Sequence, residues 1–344
     1  MEPIKFISPS SFFYWEKCPL KAIYSSEFRG QQIFPKHPDA DLGSLIHAFF
    51  ENKTKWNIFS PEAFEERWEM EINKLDEACK LNDIQKIYFP IKWNAKYFAV
   101  KKILLKKSLL KKSQLPANAI PKNIKFEQWI DDGKDVGGKV DHMVFNEKNE
   151  ILEIIDFKTG SIFEFVGKKR AIKKSYTQQL LLYAFLIKRK QSFYPKCFIQ
   201  DLKGYKHDVE VNEEIATDFH KKVIELKNKI NKGINENKID QLANPIAENC
   251  LHCEFRPICP QYKVKFVNNF ENKYVDIYGE VTDVRGIEKL EVKIQIEGKL
   301  SILKNISTNE SIKKGDIIFV YNLFCPDGNF QLLFAIKQTI IKHE

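Results

Sequence analysis

Two spacings of apolar residues divide the chain into regions. Before about residue 113, apolar side chains recur every three or four positions, which is typical of amphipathic helices. This spacing predicts a helix over residues 8–26, a second helix over about 41–54, and helical structure over 60–113.

Alternating apolar and polar residues, which indicate half-buried strands, begin near Asn123. Three such segments follow one another and are joined by turn-forming residues, so we expect an antiparallel meander. Two further helices are predicted over about 176–189 and 212–232, with a strand near 196–201 between them. The segments of the meander are IKFEQWI, GGKVDHMVF and ILEIIDFK.

The pattern becomes almost purely strand-like from about residue 266. Five short alternating segments with turn residues between them predict a small closed β-barrel of the OB type. The predicted fold class is therefore mixed α/β, with a large domain over 1–265 and a small all-β OB-like barrel over 266–344. A helical insertion over about 55–120 interrupts the large domain.

Asp141, Asp156 and Lys158 are the main candidates for catalysis in the large domain. Asp156 and Lys158 are two residues apart, so they point to the same face of a strand. Asp141 is on the preceding strand, within reach if the two strands pair. Two carboxylates, with the main-chain carbonyl of Phe157 as a further oxygen, suit Mg²⁺ or Mn²⁺. Lys158 would then orient an attacking water or offset charge in the transition state.

A solvent-facing strand edge with alternating charge would show the same three residues. The segment ILEIIDFK disfavours this interpretation, because it is apolar up to Ile155 and charged groups at the end of a buried strand are costly without a function. Glu127 is a lesser candidate that we expect on a solvated strand face. Glu153 should point away from Asp156, so it is left out of the metal site.

Four motifs resemble those of RecB-like PD-(D/E)xK nucleases, in the order and spacing of that family, over about residues 1–264. Each motif alone would be weak, since a single histidine is more often structural and a glutamine with a tyrosine is ordinary on a helix. In chain order the segments are GSLIHAFFE with Gly43 and His47, GGKVDHMVF with Asp141, EIIDFKTG with Asp156 and Lys158, and YTQQLLLYAFL with Gln179 and Tyr183.

The resemblance implies a restriction-endonuclease-like PD-(D/E)xK core and a metal-dependent nuclease. It implies that His47 joins the metal site, and that Gln179 and Tyr183 border the active site and face DNA. It does not extend past about residue 264, so it says nothing about the barrel. The implied catalytic residues are Asp141, Asp156, Lys158, Gln179 and Tyr183, and the implied metal ligands are His47, Asp141, Asp156 and Phe157.

Three of the seven cysteines lie close together, as Cys250, Cys253 and Cys259. Clustered cysteines favour a metal site over disulfides in an intracellular protein, and Cys18 is the expected fourth ligand. The spacing suits both zinc and an iron–sulfur cluster. The resemblance to Cas4-type and AddB-type members of the family, which hold a [4Fe–4S] cluster on one N-terminal and three C-terminal cysteines, favours iron–sulfur in a structural role.

The chain of 344 residues has a formal net charge of +9, and the residues from Lys265 onward carry equal numbers of basic and acidic side chains. The basic excess therefore lies in the predicted nuclease domain, which fits a DNA partner. Paired lysines between residues 101 and 112 are expected on a solvated helix face, with a DNA-facing role as the alternative. Basic residues between 168 and 174 are expected at the mouth of the site, where some would contact phosphates.

Hydrophobic residues make up 43% of the chain and charged residues 29%, as in soluble globular proteins. We find no apolar run of the roughly 20 residues that a membrane-spanning helix needs. The N-terminal sequence does not resemble a signal peptide, so a cytoplasmic protein without a membrane partner is expected.

The primary hypothesis is a DNA exonuclease that acts on ends or single strands, in repair, recombination or nucleic-acid defence. The alternative is a DNA-binding or scaffolding subunit of a helicase–nuclease or CRISPR-adaptation complex, which the intact set of Asp141, Asp156 and Lys158 disfavours. A Walker A motif is absent from the sequence, so a helicase motor would be another chain. The barrel is expected to bind single strands through aromatic side chains or to dock on a protein partner such as a helicase. The polarity and strandedness of the substrate, and DNA against RNA, stay open.

Overall fold

A computed structural model divides the chain into two compact units, residues 1–244 and 245–344. The domain boundary placed at residue 265 from the sequence pattern stays a prediction. The predicted helical insertion extends partly outside the described residues, and Lys111 and Lys112 lie outside them. The structure describes residues 1–110, 123–307, 311–328 and 330–344.

The helices of the first unit begin at residues that suit helix starts. Its described helices are α1 (Pro9–Lys17), α2 (Leu20–Glu27), α3 (Pro38–Glu51), α4 (Pro61–Leu81), α5 (Ile91–Asn94), α6 (Phe98–Leu110), α7 (Lys174–Lys188) and α8 (Glu213–Asn235). Ser8 caps α1, because its Oγ accepts a hydrogen bond from the Ser11 N–H at 3.2 Å. The single helix predicted over 8–26 is divided at Cys18, which is extended as residues before proline usually are.

Helices α3 to α6 enclose an apolar core of their own. Trp68 of α4 is fully buried and packs against Phe49 and Phe64. On the outer side, the ammonium groups of Lys102 and Lys106 in α6 each lie 2.7 Å from the Glu65 carboxylate of α4. These two members of the lysine pairs are therefore partly neutralised within the fold, which favours the solvated-face interpretation over contact with DNA.

The first unit contains a five-stranded sheet and a separate hairpin. Its described strands are β1 (Asn123–Asp131), β2 (Gly137–Phe145), β3 (Ile151–Lys158), β4 (Phe163–Val166), β5 (Lys169–Ile172), β6 (Lys196–Asp201) and β7 (Lys206–Val209). Strands β1 to β3 form the predicted antiparallel meander, and the sheet order is β1-β2-β3-β6-β7. Strand β6 runs parallel to β3, and α7 lies on the connection between them. Helix α7 packs against the sheet and against α1 and α8.

The second unit contains a closed five-stranded barrel. Its described strands are β8 (Tyr274–Arg285), β9 (Leu290–Ile296), β10 (Lys299–Ile306), β11 (Ile317–Phe324) and β12 (Leu332–His343). The order is β10-β12-β11-β8-β9, with β10 and β12 parallel. Val281, Ile294 and Val320 are among the fully buried residues of its interior. The predicted mixed α/β class and the OB-like barrel are confirmed by these elements.

The cysteine-rich segment precedes the barrel and is joined to it by buried polar contacts. Helices α9 (Ala247–Cys250) and α10 (Pro260–Phe266) flank this segment. Arg256 donates a hydrogen bond to Asp276 Oδ2 at 3.2 Å, and the Tyr262 hydroxyl donates to the same oxygen at 2.5 Å. Asp276 is buried in β8, so the segment and the barrel share one polar network. None of the described helices is long and apolar enough to span a membrane.

Candidate active site

The candidate active site lies where β2 and β3 pair. His142 of β2 is opposite Ile155 of β3, so the next residues along, Asp141 and Asp156, are neighbours across the two strands. Asp141 Oδ2 accepts a hydrogen bond from the Phe157 N–H at 2.9 Å. The meander therefore brings together the two carboxylates that the sequence placed on adjacent strands.

Asp156 is almost fully buried and is held by residues of β3 and α7. Its Oδ1 accepts a hydrogen bond from the side-chain amide of Gln179 at 2.9 Å, and its Oδ2 lies 2.7 Å from Lys158 Nζ. Lys158 Nζ also donates to Gln179 Oε1 at 3.3 Å. Burial opposes the charge of Lys158, but the neighbouring Asp156 carboxylate outweighs it and raises the pKa of the ammonium group. Lys158 is therefore held charged beside a buried carboxylate.

His47 of α3 and Glu127 of β1 complete a second group around Asp141. The His47 Nδ1 lies 3.4 Å from Asp141 Oδ2. One potential ligand atom from each of His47, Glu127 and Asp141 lies within 4.8 Å of the other two. The expectation of a solvated strand face for Glu127 was wrong, because this half-buried side chain lies across from Asp141 on the paired strand. The antiparallel pairing of β1 with β2, already predicted from the sequence, was the signal that could have placed it there.

The pKa values of Asp141, Glu127 and His47 are all shifted toward the neutral forms of these side chains. Burial, followed by repulsion from Asp156, raises the pKa of Asp141 to about 7. Burial and the nearby Glu51 raise the pKa of Glu127. Burial lowers the pKa of His47, which favours the neutral imidazole that can ligate a metal. Crowded carboxylates beside a neutral histidine are a donor set that fits a divalent cation.

Asp156 offers a further test of whether a cation fits. Its Oδ2 is buried and, among the described residues, receives no hydrogen bond of good geometry, although Lys158 Nζ is close enough for an ion pair. An ion pair needs no particular direction and leaves lone pairs of the oxygen available. The oxygen therefore keeps capacity to bind a cation.

Close backbone approach explains the glycine of the first motif. A Cβ on Gly43 would lie 3.3 Å from Thr159 Oγ1, so glycine lets α3 come close to the residue that follows β3. One turn later in α3, His47 reaches the site, where its ring lies edge-to-face against the Phe157 ring with 6.3 Å between centroids. Phe50 stacks on the Phe157 ring with 4.6 Å between centroids, which fixes the spacing of helix and strand.

Comparison with known families gives the same result as this geometry. The model of the PD-(D/E)XK nuclease superfamily matches residues 7–260. The chain belongs to this superfamily. The predicted PD-(D/E)xK fold class is thereby confirmed, and the chain is assigned to a group of nucleases.

Other comparisons add little beyond the superfamily. The crystal structure of a "Putative exonuclease" from Eubacterium rectale aligns with a TM-score of 0.41 and 11% identity over 67% of this chain and 82% of that chain. The tetrameric p202 HIN2 aligns with a TM-score of 0.18 and 13% identity over 21% of this chain and 41% of that one. Neither TM-score reaches 0.5, so neither likeness carries an inference. The search of curated proteins finds no matching sequence.

The two α7 residues of the fourth motif, Gln179 and Tyr183, are both buried but have different partners. Gln179 contacts Asp156 and Lys158 directly, whereas the Tyr183 hydroxyl donates a hydrogen bond to the Lys139 carbonyl at 2.6 Å. Tyr183 is 2% exposed, and a Cβ on Gly138 would lie 2.8 Å from its hydroxyl. A side chain so enclosed has no surface to offer DNA, so the expectation that Tyr183 faces DNA is not met. Its placement indicates that it positions β2 beneath α7.

The four cysteines of the expected cluster are distributed over both units. Cys18 follows α1 in the first unit and is half-buried. In the second unit Cys250 is buried at the end of α9, and Cys253 and Cys259 are half-buried. The Cys253 N–H donates to the Cys250 carbonyl at 3.0 Å, which forms a tight turn at the Cys-x-x-Cys sequence. A shared cluster stays a prediction from spacing and resemblance.

Proposed function

We propose that the chain is a metal-dependent deoxyribonuclease, and that it degrades DNA from ends or as single strands. The observation that carries the proposal is the buried Asp156, held by Lys158 and Gln179 on one side and neighbouring Asp141 across the strands on the other. A non-catalytic scaffolding subunit would not be expected to keep this arrangement, because buried like charges lower the stability of the fold.

The residues present would divide the chemistry as follows. Asp141, Asp156, His47 and the Phe157 carbonyl would hold Mg²⁺ or Mn²⁺, and Glu127 is an additional ligand in reach. A bound divalent cation supplies charge neutralisation at the scissile phosphate and lowers the pKa of water. Lys158 would hold and orient the attacking water, and its raised pKa keeps it as a charged donor.

Gln179 and Tyr183 would act through the residues they position. Gln179 fixes the directions of the Asp156 carboxylate and the Lys158 ammonium group, because it bonds to both. Tyr183 ties α7 to the backbone of β2 next to the strand segment that carries Asp141. Positioning residues of this kind typically affect activity or metal affinity by about 10–100-fold.

The test compares two carboxamide substitutions on the same strand. Asp156→Asn should abolish Mn²⁺-dependent cleavage of end-labelled DNA. Glu153→Gln is the matched control, since Glu153 belongs to β3 but pairs with Lys206 at 2.9 Å, away from the site. Wild-type activity in Asp156→Asn, or equal loss in both variants, would contradict the proposed site.

A second comparison tests the mode of cleavage. An exonuclease should degrade linear single-stranded DNA, linear double-stranded DNA or both, and it should leave closed circular forms of the same sequences intact. Cleavage of closed circles at a comparable rate would show endonuclease action. That result would not contradict the proposed metal site. An RNA strand of the same sequence decides between DNA and RNA as the substrate.

We further propose that Cys18, Cys250, Cys253 and Cys259 bind a [4Fe–4S] cluster, as their spacing and the family resemblance suggest. Anaerobically purified protein should be brown and contain iron. Cys253→Ser should lose the visible absorption, and Cys325→Ser, at a buried cysteine outside the motif, should keep it. Bound zinc without iron in the wild type would overturn the iron–sulfur assignment.

The finer biological role is also a proposal. A nuclease of this superfamily with an OB-like barrel suits DNA repair, recombination or defence, and the barrel would bind single strands or a protein partner such as a helicase. The alternative of a mainly scaffolding subunit predicts DNA binding with no metal-dependent cleavage. The Asp156→Asn comparison separates these two.

A further inference from the structure

A two-stranded hairpin projects from the elements that carry the candidate active site. Strand β4 begins five residues after Lys158, and β5 ends two residues before α7. The basic residues of this stretch were expected at the mouth of the site, but the two strands were not predicted from the sequence. The hairpin therefore connects the strand with Lys158 to the helix with Gln179.

The base of the hairpin is fixed to the first unit. The Phe163 ring lies 5.1 Å from the His207 ring of β7 in an edge-to-face contact. The Glu164 carboxylate accepts a hydrogen bond from the Lys174 N–H at 2.8 Å, and the Lys173 N–H donates to the Ile162 carbonyl at 2.9 Å. Because both ends are held by such contacts, the direction of the hairpin is set relative to the site.

The tip of the hairpin is exposed and partly apolar. Phe165 is 78% exposed and Val166 is 63% exposed, and every residue from 165 to 170 is exposed. Single exposed apolar residues are ordinary on protein surfaces. A phenylalanine and a valine together at the tip of a small hairpin gain nothing for the fold, since hairpins are stabilised by the apolar surface that they bury.

The hairpin and the two residues that follow it carry a concentrated positive charge. Residues 161–174 contain five basic side chains and one acidic side chain, Glu164, which is engaged at the base. Arg170 pairs with Phe165 across the hairpin and its guanidinium lies 3.8 Å above the Phe163 ring. The basic side chains are Lys168, Lys169, Arg170, Lys173 and Lys174.

We propose that the β4–β5 hairpin binds the unpaired strand of the DNA substrate, with a base stacked on Phe165 and phosphates on the basic side chains. This inference rests on the proposed nuclease function and adds the strandedness of the substrate. Cations together with an exposed aromatic ring match single-stranded nucleic acid, whose bases offer a free π-face. Paired bases in a duplex cannot stack on a side chain without being opened, so a duplex would use only the cations.

The position of the basic residues favours DNA over an anionic lipid surface. Lys173 Nζ lies 5.6 Å from the Tyr176 ring, and Lys158 Nζ lies 4.7 Å from the same ring. The basic residue that follows the hairpin therefore lies next to the candidate active site, where the proposed function places the scissile phosphate. A lipid-binding hairpin would have no reason to share a tyrosine with Lys158.

The test measures binding without cleavage, in EDTA, by fluorescence anisotropy of a labelled 20-nucleotide single strand and a blunt 20-base-pair duplex. Phe165→Ala should weaken binding of the single strand by about tenfold, within the range that stacking of one base provides, and should leave duplex binding within about twofold. Val166→Ala is the matched control on the other face of the hairpin, and it should leave both affinities unchanged. Phe165→Trp should bind the single strand at least as well as the wild type.

Further measurements distinguish the contribution of the basic side chains from that of the Phe165 ring, and the hairpin proposal from the proposed nuclease function. The double variant Lys168→Ala/Lys169→Ala should bind both the single strand and the duplex more weakly, and its binding should depend less on salt. Equal affinity of wild type and Phe165→Ala for the single strand overturns the proposal, as does binding to phosphatidylserine vesicles but not to DNA. If Phe165→Ala binds the single strand more weakly but the wild type cleaves no DNA with Mn²⁺, the hairpin proposal is supported and the proposed nuclease function is refuted. If the wild type cleaves DNA but Phe165→Ala binds the single strand as tightly as the wild type, the nuclease function is supported and the hairpin proposal is refuted.

Discussion

His142→Phe is expected to make the stability of the first unit less sensitive to acid. His142 lies between the rings of Phe126 and Phe157, with centroids 4.8 Å and 5.9 Å away and both pairs nearly parallel. Its two ring nitrogens are buried and, within the described part of the chain, have no hydrogen-bond partner. Burial, and to a lesser extent Lys206, lowers the pKa of this imidazole from 6.5 to about 4.

The sign and size of the effect follow from this lowered pKa. Between pH 6.5 and pH 4 the unfolded chain binds a proton at His142 that the folded chain does not, so the free energy of unfolding falls as the pH falls. At about 1.36 kcal/mol per pKa unit, the full effect is about 3 kcal/mol, of which about 2 kcal/mol is lost by pH 5. Phenylalanine keeps the ring stack and removes the proton, so the variant should gain about 2 kcal/mol over the wild type between pH 7.5 and pH 5.

Urea unfolding followed by tryptophan fluorescence measures this difference. The five tryptophans all lie within residues 1–244, so the signal reports the first unit alone. EDTA keeps cations from the site. The raised pKa of Asp141 acts in the opposite direction, because the folded state then binds the extra proton. Asp141 is present in both proteins, and comparison of the variant with the wild type cancels its contribution.

Phe126→Leu is the control for His142→Phe. It disturbs the same ring stack without changing a titratable group, so its effect on the free energy of unfolding should be equal at pH 7.5 and pH 5. If His142→Phe also shifts stability equally at the two pH values, His142 binds protons in the folded protein as it does in the unfolded chain. That result would refute the reasoning from burial.

Three further predictions concern the polar networks. Gln179→Leu should reduce Mn²⁺-dependent activity by about 10–100-fold, measured as kcat and as apparent Mn²⁺ affinity, because Asp156 and Lys158 lose a shared partner. Mn²⁺ affinity, measured by isothermal titration, should fall about tenfold per pH unit below about pH 7, since binding must displace the proton that the raised pKa of Asp141 retains; a flat profile from pH 5 to 7 would contradict this. Asp276→Ala should destabilise the second unit by about 3–5 kcal/mol in calorimetry, since Arg256 stays buried without the carboxylate.

The sequence was sufficient for the parts of the fold that depend on short-range pattern. The meander and the five barrel strands follow from alternation, and the pairing of β2 with β3 brings Asp141 and Asp156 together as expected. The β4–β5 hairpin was missed because its exposed strands bury too little to show an apolar pattern. Strand β7 was missed for a similar reason, since it is a four-residue edge strand with one buried residue.

The site shows a different limit of sequence reasoning. Because Glu127 is charged, its side chain was predicted to lie on the solvent-exposed face of its strand. The fold places it beside His47, which comes from a helix some 80 residues earlier in the chain. The family resemblance implied that Tyr183 faces DNA, whereas close packing on Gly138 encloses its side chain. Both differences concern packing between elements distant in sequence, which neither periodicity nor a motif reports.

The cluster around Asp141 explains why sequence patterns do not predict the environment of the site residues. Folding alone would exclude adjacent buried carboxylates, because burial and then repulsion from Asp156 raise the pKa of Asp141 and oppose its charge. The scaffold supports this arrangement from three sides, since α3 approaches through Gly43, α7 supplies Gln179, and β3 supplies Lys158. Each support is a polar or close-packed contact that adds little burial of apolar surface. Such a site fits a cationic partner, and residues that contradict pattern-based expectation are where that partner should be sought.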